Sequence, residues 1–480
     1  ERGVAIGYDN RHMSYKFAIE SAKVLATYGI KSYIFESLRP TPELSFAVRY
    51  LKCAGGIMIT ASHNPKEHNG YKVYDDTGCQ LLPEAADQVV QYVNEVEDEL
   101  NIKVFSDEEA YPYMTWIGEE VDEAYYKEVM AIEVNPGMDK SDFKIVFSPQ
   151  HGTSNIAVRT CLTRLGYDLV PVLAQCAPDP DFSNTKSPNP EVPASYELAI
   201  KKAKEVDADV VVITDPDGDR LGVVAKHNGE YVLMSGNQSA AVYLEYILSQ
   251  MKEKGTLPDN AVMYNTIVTS DLGELVARSY GVDVEKTLTG FKFIGDKIRK
   301  YEQTHEKTFV FGYEESYGCV IKDFVRDKDA VQAVLTAAEA GNFYKKQGKD
   351  LVDVLNELYA KHGTFKETQI ALSKAGAAGA ARIKEIMDNL RKDAPQEIGG
   401  VKVVKVEDYG NSTCSDGTTI QLPKSNVLKY YLEDGSWIAA RPSGTEPKCK
   451  FYFSIKGSDA DDAASKTEVF HKAMMEIIGE

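Results

Sequence analysis

Short apolar segments alternate with helical segments along the first three quarters of this chain, and the alternation restarts twice. The first series opens with "VAIGYD", the second with "FKIVFSP" and the third with "NAVMYNTIV". Strands that alternate with helices form largely parallel sheets covered by helices on both faces. We therefore predict three α/β domains of similar plan over residues 1–135, 136–256 and 257–366.

The last part of the chain has a different pattern. Within residues 367–480, strand-like segments cluster together, and helical segments at 377–391 and 460–478 accompany them. Strands grouped in this way favour an α+β domain. The predicted fold is thus three α/β domains with mixed, largely parallel sheets, followed by a C-terminal α+β domain.

Composition and charge exclude several classes of protein. The net charge of −19 argues against nucleic acid as the main partner, because a phosphate backbone requires a basic surface. No apolar run approaches the roughly 20 residues that cross a bilayer, so no membrane partner is expected. The seven cysteines have no Cys-x-x-Cys spacing, which indicates reduced thiols in a cytoplasmic protein.

The first predicted strand lies close to the start of the sequence. The segment "GVAIGYD" has the pattern of a core strand from residue 4, and the chain begins with Glu1 rather than methionine. A buried strand of a parallel sheet needs neighbours and covering helices. We therefore expect further sequence upstream that completes the first domain.

The segment "TASHNP", residues 60–65, follows the apolar run "GGIMI" directly. Ser62 stands beside His63, which raises the question of a nucleophile and its base. The segment lacks the Gly-x-Ser-x-Gly frame of a hydrolase elbow. From these residues alone, a polar turn is the alternative interpretation.

The segment "TDPDGDR", residues 214–220, carries the strongest chemical signal. Asp215, Asp217 and Asp219 alternate through a turn that Pro216 and Gly218 impose. Three carboxylates aimed in one direction repel one another, and a hard divalent cation relieves that repulsion. Oxygen ligands favour magnesium, and a solvated Asp/Gly turn is the alternative.

Two further segments offer groups that suit a phosphorylated sugar. In "RPSGTEPK" (441–448), an arginine and a lysine bracket hydroxyls and a glycine, which can form an anion site or an ordinary β-turn. In "GYEESYG" (312–318), Glu314, Glu315 and Ser316 follow an apolar strand, where they can accept hydrogen bonds from sugar hydroxyls or start a helix.

The segment "TGFKFIGDK", residues 289–297, has two glycines at P-loop spacing. Asp296 stands where a P-loop requires lysine, which excludes that motif. Lys292 remains as a candidate substrate contact or proton donor, with an ordinary surface lysine as the alternative.

These motifs, in this order, resemble those of the α-D-phosphohexomutases over nearly the whole chain. "TASHNP" resembles the family's phosphoserine loop, "DPDGDR" its magnesium loop, "GYEESYG" its sugar loop and "RPSGTEPK" its phosphate-binding loop. The resemblance implies that phosphorylated Ser62 and the three aspartates hold one Mg²⁺. It also implies interconversion of glucose 1-phosphate and glucose 6-phosphate through glucose 1,6-bisphosphate, in a central cleft that the last domain closes.

The resemblance also implies roles for further residues. The proton-transfer candidates are His63, Lys72 and Lys292, and positive charge near the transferring phosphate comes from Arg11 and Arg220. Substrate contacts are expected from Thr289, Gly290, Glu314, Ser316, Arg441, Ser443, Gly444 and Thr445.

Several alternatives stay open from the sequence. A mannose, pentose or amino-sugar phosphate could replace glucose phosphate as the substrate. A metal-dependent phosphatase that uses Ser62, or a non-catalytic sugar-phosphate sensor, would share part of the motif set. The sequence leaves the oligomeric state open between monomer and dimer.

Overall fold

Two units make up the chain in the computed structural model, which describes residues 2–443 and 447–480. The first unit comprises the residues up to Asn265 together with Ala277–Glu285 and Gly290–Leu355. The second comprises Thr266–Val276, Lys286–Thr289 and Asn356–Glu480. Four sheets are distributed along the chain. None of the described helices is long and apolar enough to cross a membrane.

The first sheet has a parallel centre and one antiparallel edge. Its strands are β1 (Val4–Tyr8), β2 (Ser32–Phe35), β3 (Gly55–Ile59), β4 (Tyr71–Tyr74) and β5 (Met114–Ile117), in the order β4-β3-β1-β2-β5. Only the β3–β4 pairing is antiparallel. The helices are α1 (Ser14–Thr27), α2 (Thr41–Tyr50), α3 (Pro83–Asn94), α4 (Asp107–Ala110) and α5 (Glu119–Met130). Alanines of α1 pack against the isoleucines of β1 and β3, so this helix covers one face.

The second sheet repeats this plan with a longer antiparallel edge. Its strands are β6 (Lys144–Ser148), β7 (Asp168–Pro171), β8 (Val210–Thr214), β9 (Leu221–His227) and β10 (Glu230–Met234), in the order β10-β9-β8-β6-β7. The helices α6 (Asn155–Arg164) and α7 (Glu197–Val206) belong to this part of the chain. All five residues of β8 are buried, since "VVVIT" lies inside the sheet. A two-residue turn at Asn228 and Gly229, both with positive φ, joins β9 to β10.

The third sheet contains four strands. They are β11 (Ala261–Thr266), β12 (Asp283–Thr287), β13 (Thr308–Tyr313) and β14 (Cys319–Val320), in the order β12-β11-β13-β14. Strands β11 and β13 are parallel, and β14 adds an antiparallel edge. The helices of this part are α8 (Gly236–Glu253), α9 (Asp271–Ser279), α10 (Phe291–Thr304), α11 (Ala330–Lys345) and α12 (Leu351–His362).

The C-terminal sheet is antiparallel in all its pairings between described strands. Its strands are β15 (Thr364–Ser373), β16 (Glu397–Ile398), β17 (Val401–Asp408), β18 (Thr413–Cys414), β19 (Leu428–Leu432), β20 (Trp437–Pro442) and β21 (Lys448–Gly457). Two helices, α13 (Gly376–Lys392) and α14 (Ala460–Ile478), pack their apolar residues into the same core as the sheet. The predicted fold class is confirmed, whereas the predicted domain boundaries stay a prediction.

The topology places three of the sequence motifs at equivalent points. Strands β3, β8 and β13 each pair in parallel with a neighbour, and each is followed directly by a polar motif. Ligand groups gather at the carboxyl ends of parallel strands because the loops there converge on one edge of the sheet. These three strand ends, all in the first unit, therefore form the scaffold of the candidate site.

A buried lysine lies in the core of the second unit. Lys429 of β19 is 1% exposed and donates a hydrogen bond from Nζ to the carbonyl oxygen of Ile267 at 2.8 Å. Its ammonium lies 3.9 Å from the centroid of the Trp437 ring and 4.8 Å from that of Tyr431. Aromatic faces stabilise a cation, but they do not replace the water that burial removes.

Burial, with a smaller contribution from nearby Lys286, lowers the pKa of Lys429 from 10.5 to about 7. Between these two values the unfolded chain binds more protons than the folded one, so the free energy of unfolding rises with pH over this window. In Lys429→Met, we expect a smaller rise between pH 7 and 10 in thermal unfolding experiments. Lys384→Met, at an exposed position of α13, is the control and should follow the wild-type curve. Identical pH profiles for the wild type and Lys429→Met would contradict the prediction.

Candidate functional site

Three buried aspartates define the centre of the site. Asp215, Asp217 and Asp219 occupy the loop after β8 and are at most 1% exposed. One carboxylate oxygen from each lies within 4.8 Å of the others, so the alternating spacing does bring the three side chains together. Gly218 has a φ of +69°, a left-handed conformation that glycine adopts without strain.

Backbone hydrogen bonds fix the shape of this loop. The Oδ1 atom of Asp215 accepts hydrogen bonds from the amides of Asp219 and Arg220 at 3.1 and 3.0 Å. Thr41, at the start of α2, donates from its hydroxyl to Asp217 Oδ2 at 2.9 Å and from its amide to the carbonyl oxygen of Asp217 at 2.8 Å. Helix α2 thus helps to hold the aspartate loop that follows β8.

Two lysines approach the triad. Lys72 of β4 lies 2.8 Å from Asp217 Oδ2 and 3.6 Å from Asp219 Oδ2, and Lys328 lies 3.1 Å from Asp219 Oδ2. Burial by itself would lower the pKa of both lysines, but the neighbouring carboxylates outweigh it and raise the pKa above the ordinary value. Both side chains therefore place positive charge beside the triad.

The pKa values of Asp215 and Asp217 are shifted in opposite directions. Burial, followed by repulsion from the other two aspartates, raises the pKa of Asp215. Burial opposes ionisation of Asp217 as well, but the charge of Lys72 and its hydrogen bond hold the pKa of Asp217 below the usual value.

The triad has unused acceptor capacity that fits a cation. Within residues 2–443 and 447–480, the Oδ1 atoms of Asp217 and Asp219 are buried and have no hydrogen-bond partner. A buried carboxylate oxygen without a partner is costly. An oxygen-ligating divalent cation satisfies such atoms, and magnesium is the ion that this donor set suits.

Ser62 lies against this triad. Its hydroxyl donates to Asp215 Oδ2 at 3.0 Å, and its Oγ is 3.2 Å from His63 Nδ1. The backbone of Ser62 has a φ of +53°, although it is not a glycine. Two segments that are 153 residues apart in sequence are therefore joined in one site.

The two predicted arginines of the phosphate region lie in different surroundings. Arg11 is buried beneath the serine loop and donates to carbonyl oxygens of that loop. Arg220 donates from Nη1 to Glu191 at 2.9 Å, and its Nε lies 3.8 Å from Asp219 Oδ1. Arg220 is thus next to the triad, whereas Arg11 is directed at the backbone that carries Ser62.

A hydrogen bond joins two of the motifs that were predicted to contact a sugar. The amide of Gly290 donates to Glu314 Oε1 at 2.8 Å, which joins "TGFK" to "GYEESYG". Glu314 is buried, and Ser316 follows it in a partly exposed turn. Lys292, in the first turn of α10, has its Nζ 5.7 Å from the centroid of the Phe293 ring. Thr289 belongs to the second unit.

The motif "RPSGTEPK" connects β20 to β21 in the second unit. Arg441 lies at the end of β20 and Lys448 starts β21, and the Ser443 amide donates to the Lys448 carbonyl at 2.7 Å. Gly444 and Thr445 lie outside the described residues. The motif is thus the connection of an antiparallel strand pair, and its phosphate-binding role stays a prediction.

Lys328 and Thr41 are the site residues that the sequence did not reveal. Lys328 belongs to "VRDKDA", which by itself indicates only a salt-bridged helix start, and Asp329 does cap α11 there. The signal that was available is an unusual density of charge next to a strongly apolar helix. Thr41 gave no signal, because its contact with Asp217 spans 176 residues of sequence.

Gly152 allows a close approach of two backbones below the triad. A Cβ atom at Gly152 would lie 2.5 Å from both Cα and O of Pro216, which stands between two of the aspartates. We expect Gly152→Ala to displace the aspartate loop and to lower stability by about 1–3 kcal/mol. Thermal unfolding with and without Mg²⁺ measures both effects, since a displaced loop gains less stability from the ion. Gly137→Ala is the matched control, because nothing lies within 4 Å of the added atom. Equal melting temperatures for the two variants would contradict this account.

Comparison with known proteins finds one family along the chain. The four domain models of the phosphoglucomutase/phosphomannomutase family match residues 1–100, 123–229, 235–362 and 380–472. A phosphoglucomutase of Staphylococcus epidermidis is 40% identical over 471 residues, which cover 96% of this chain and 85% of that protein.

Solved structures share the fold. The open form of parafusin (phosphoglucomutase) from Paramecium superposes with a TM-score of 0.74 at 20% identity, covering 100% of this chain and 89% of that one. N-acetylphosphoglucosamine mutase from Aspergillus fumigatus, in complex with GlcNAc-6P and magnesium, gives a TM-score of 0.56 at 14% identity, with coverage of 95% and 93%.

Proposed function

Because this chain belongs to the phosphoglucomutase/phosphomannomutase family, we propose that it interconverts glucose 1-phosphate and glucose 6-phosphate, with Ser62 as the carrier of the transferred phosphate. One observation supports the role of Ser62 above all others. Its hydroxyl lies 3.0 Å from a buried aspartate triad in which two carboxylate oxygens have no hydrogen-bond partner among the described residues. The family is one of intramolecular phosphotransferases, so the chain is an enzyme of that type.

The first half-reaction transfers phosphate from the enzyme to the sugar. A hydroxyl oxygen of the bound sugar phosphate attacks the phosphorus of phosphorylated Ser62. The new bond joins that oxygen to phosphorus, and the bond between phosphorus and Ser62 Oγ breaks. The sugar hydroxyl loses a proton, and Ser62 Oγ gains one, so charge balances and glucose 1,6-bisphosphate forms.

The second half-reaction returns a phosphate to the enzyme. The bisphosphate presents its other phosphate to Ser62, whose Oγ attacks and loses its proton. The bond from that phosphorus to the sugar oxygen breaks, and the sugar oxygen takes up a proton. His63 Nδ1, at 3.2 Å from Ser62 Oγ, can receive and return protons at this atom. Lys72 and Lys292 remain candidates for the proton at the sugar.

A magnesium ion fits the donors of this site. Asp215, Asp217 and Asp219, together with the phosphate on Ser62, would hold it, and it would draw charge from the phosphoryl oxygens as the bond to phosphorus loosens. Lys72, Lys328 and Arg220 add fixed positive charge around the carboxylates. Such charges need no reorganisation during transfer, so they stabilise the transition state.

The other contacts that we propose position the sugar. Glu314 and Ser316 accept hydrogen bonds from ring hydroxyls, beside Thr289 and Gly290. Arg441, Ser443, Gly444 and Thr445 hold the phosphate that does not react. Excluding water from the site would protect phosphorylated Ser62 from hydrolysis.

A coupled assay tests the proposal. The assay contains glucose 1-phosphate, Mg²⁺ and a trace of glucose 1,6-bisphosphate. The glucose 6-phosphate that forms is measured with glucose-6-phosphate dehydrogenase as the coupling enzyme. We expect steady turnover with little release of inorganic phosphate. Release of phosphate without isomerised sugar would identify a phosphatase instead. A clear preference for mannose 1-phosphate in a parallel assay would replace glucose as the substrate.

A further inference from the structure

The serine loop adopts a backbone conformation that requires external support. Ser62 has a φ of +53°, in the left-handed region that L-residues other than glycine rarely occupy. Such a conformation is costly and persists only where the surroundings fix it. Within the loop, the Ser62 amide donates to Thr60 Oγ1 at 2.8 Å, and the Asn64 amide donates to the Ala61 carbonyl at 3.1 Å. Neither bond uses the carbonyl oxygens of Ser62, Asn64, Pro65 or His68.

One side chain collects those carbonyl groups. Arg11 donates from Nη2 to the carbonyl oxygens of Ser62 and Asn64, at 2.6 and 2.5 Å. It donates from Nη1 to those of Pro65 and His68, at 2.8 and 3.0 Å. A guanidinium has five N–H donors in a fixed plane. Four of them are therefore used by the backbone of the serine loop.

The third guanidinium nitrogen, Nε, lies beside a buried counter-charge. Arg11 Nε lies 3.1 Å from Asp9 Oδ2, and both side chains are fully buried. Asp9 is held in turn, since its Oδ1 accepts from the Arg11 amide at 2.9 Å and from Ser14 Oγ at 2.6 Å. The Phe182 ring lies 5.3 Å from the guanidinium carbon. The loop carbonyls, Asp9 and the Phe182 ring thus surround a fully buried guanidinium.

We propose that Arg11 is a positioning residue, which holds Ser62 where its Oγ can take up and return phosphate, and is not a ligand of the phosphate. The proposal rests on the proposed function of Ser62. It differs from the role that the sequence implied, in which Arg11 supplies charge to the transferring group. Because four N–H groups are bound to the loop carbonyls and the Nε–H is buried beside Asp9, the guanidinium cannot reach a phosphate without releasing the loop.

Lysine cannot reproduce this arrangement. Its ammonium has three donors on one atom, so it cannot reach four carbonyl oxygens that are spread over residues 62–68. In Arg11→Lys the loop carbonyls lose partners, and Ser62 can relax toward negative φ. A displacement of the reacting atom by about 1 Å can lower a transfer rate by roughly 10²-fold.

The experiment compares wild type, Arg11→Lys and Arg164→Lys. Arg164 pairs with Glu123 on the surface and serves as a matched control. Enzyme labelled with ³²P on Ser62 is mixed with glucose 1-phosphate, and transfer is followed in a single turnover. Amide hydrogen exchange of residues 62–68 is measured on the same proteins without sugar.

For Arg11→Lys we expect transfer about 10²-fold slower, KM for glucose 1-phosphate within about twofold of wild type, and exchange in the loop about tenfold faster. Arg164→Lys should match the wild type in all three. A raised KM with unchanged loop exchange would make Arg11 a phosphate ligand and overturn the proposal. Unchanged transfer and exchange would overturn it as well.

A second variant covers the case in which Arg11→Lys does not fold. Asp9→Asn keeps the arginine but removes its buried counter-charge. We expect slower phosphate transfer and faster amide exchange in the loop, both to a smaller extent than in Arg11→Lys. If residues 62–68 of this variant exchange their amide hydrogens at the wild-type rate, the proposed positioning role of Arg11 is wrong. The exchange measurement does not depend on activity. If the wild type carries no label on Ser62, the proposed function is refuted, and the exchange data alone then decide whether Arg11 positions the serine loop.

Discussion

Replacing Ser62 with alanine is expected to abolish mutase turnover, with a loss of about 10⁴-fold or more. The reason is that no second group takes over covalent transfer. Ser62 Oγ is the hydroxyl that the structure places 3.0 Å from Asp215, and alanine leaves the triad and the loop backbone in place. The measurement is the coupled assay with saturating glucose 1,6-bisphosphate, together with mass spectrometry of the peptide that contains residue 62.

A matched serine variant controls for the loss of a hydroxyl group. Ser21 lies on α1, away from the aspartate triad in sequence, and its hydroxyl donates a hydrogen bond to the Phe17 carbonyl. We expect Ser21→Ala to keep wild-type turnover and phosphorylation of residue 62. Full turnover in Ser62→Ala would show that phosphate passes between sugars without this carrier, and the mechanism proposed here would be wrong.

Replacing Asp219 with asparagine is expected to lower turnover by about 10³-fold and to weaken Mg²⁺ binding. Asp219 is 1% exposed, and its Oδ1 has no hydrogen-bond partner among the described residues. Asparagine keeps the size of the side chain but removes a negative charge that Lys328 faces at 3.1 Å. Mg²⁺ titration of turnover and calorimetry of Mg²⁺ binding measure the two effects separately.

The chain contains its own control for this variant. His227, Asp350 and Asp353 form a second group whose ligand atoms lie within 4.8 Å of one another. Hydrogen bonds to the first turn of α12 account for much of that group, since Asp350 Oδ1 accepts from the amides of Val352 and Asp353. We expect Asp353→Asn to leave the Mg²⁺ dependence of turnover unchanged. If Asp219→Asn and Asp353→Asn shift the Mg²⁺ titration of turnover equally, the effect comes from removing a negative charge anywhere on the protein and not from the aspartate triad.

The parts of the site that a short segment encodes could be predicted from the sequence. The three aspartates lie on one loop, so their spacing and the apolar strand before them were sufficient to predict a metal site. The hairpin of β9 and β10 could also have been found, because Asn228-Gly229 between apolar segments is a strong hairpin signal. The family resemblance implied that Ser62 and the three aspartates share one site, and the Ser62 hydroxyl does donate to Asp215.

The parts that depend on distant contacts could not be predicted. Thr41 and Lys328 reach the triad from α2 and from the segment before α11, and neither has a local pattern that points there. Arg11 was predicted as a site residue, but the sequence does not show which groups its side chain contacts. Those contacts depend on the path of residues 62–68, which includes a positive φ that serine does not favour. Sequence periodicity carries no information about such a conformation.

The two lysines beside the triad have a consequence for how the protein matures. Lys72 and Lys328 offset most of the negative charge that three buried carboxylates would otherwise bring together. Because the protein's own ammonium groups already face the triad, we expect the chain to reach its folded state without a divalent metal ion.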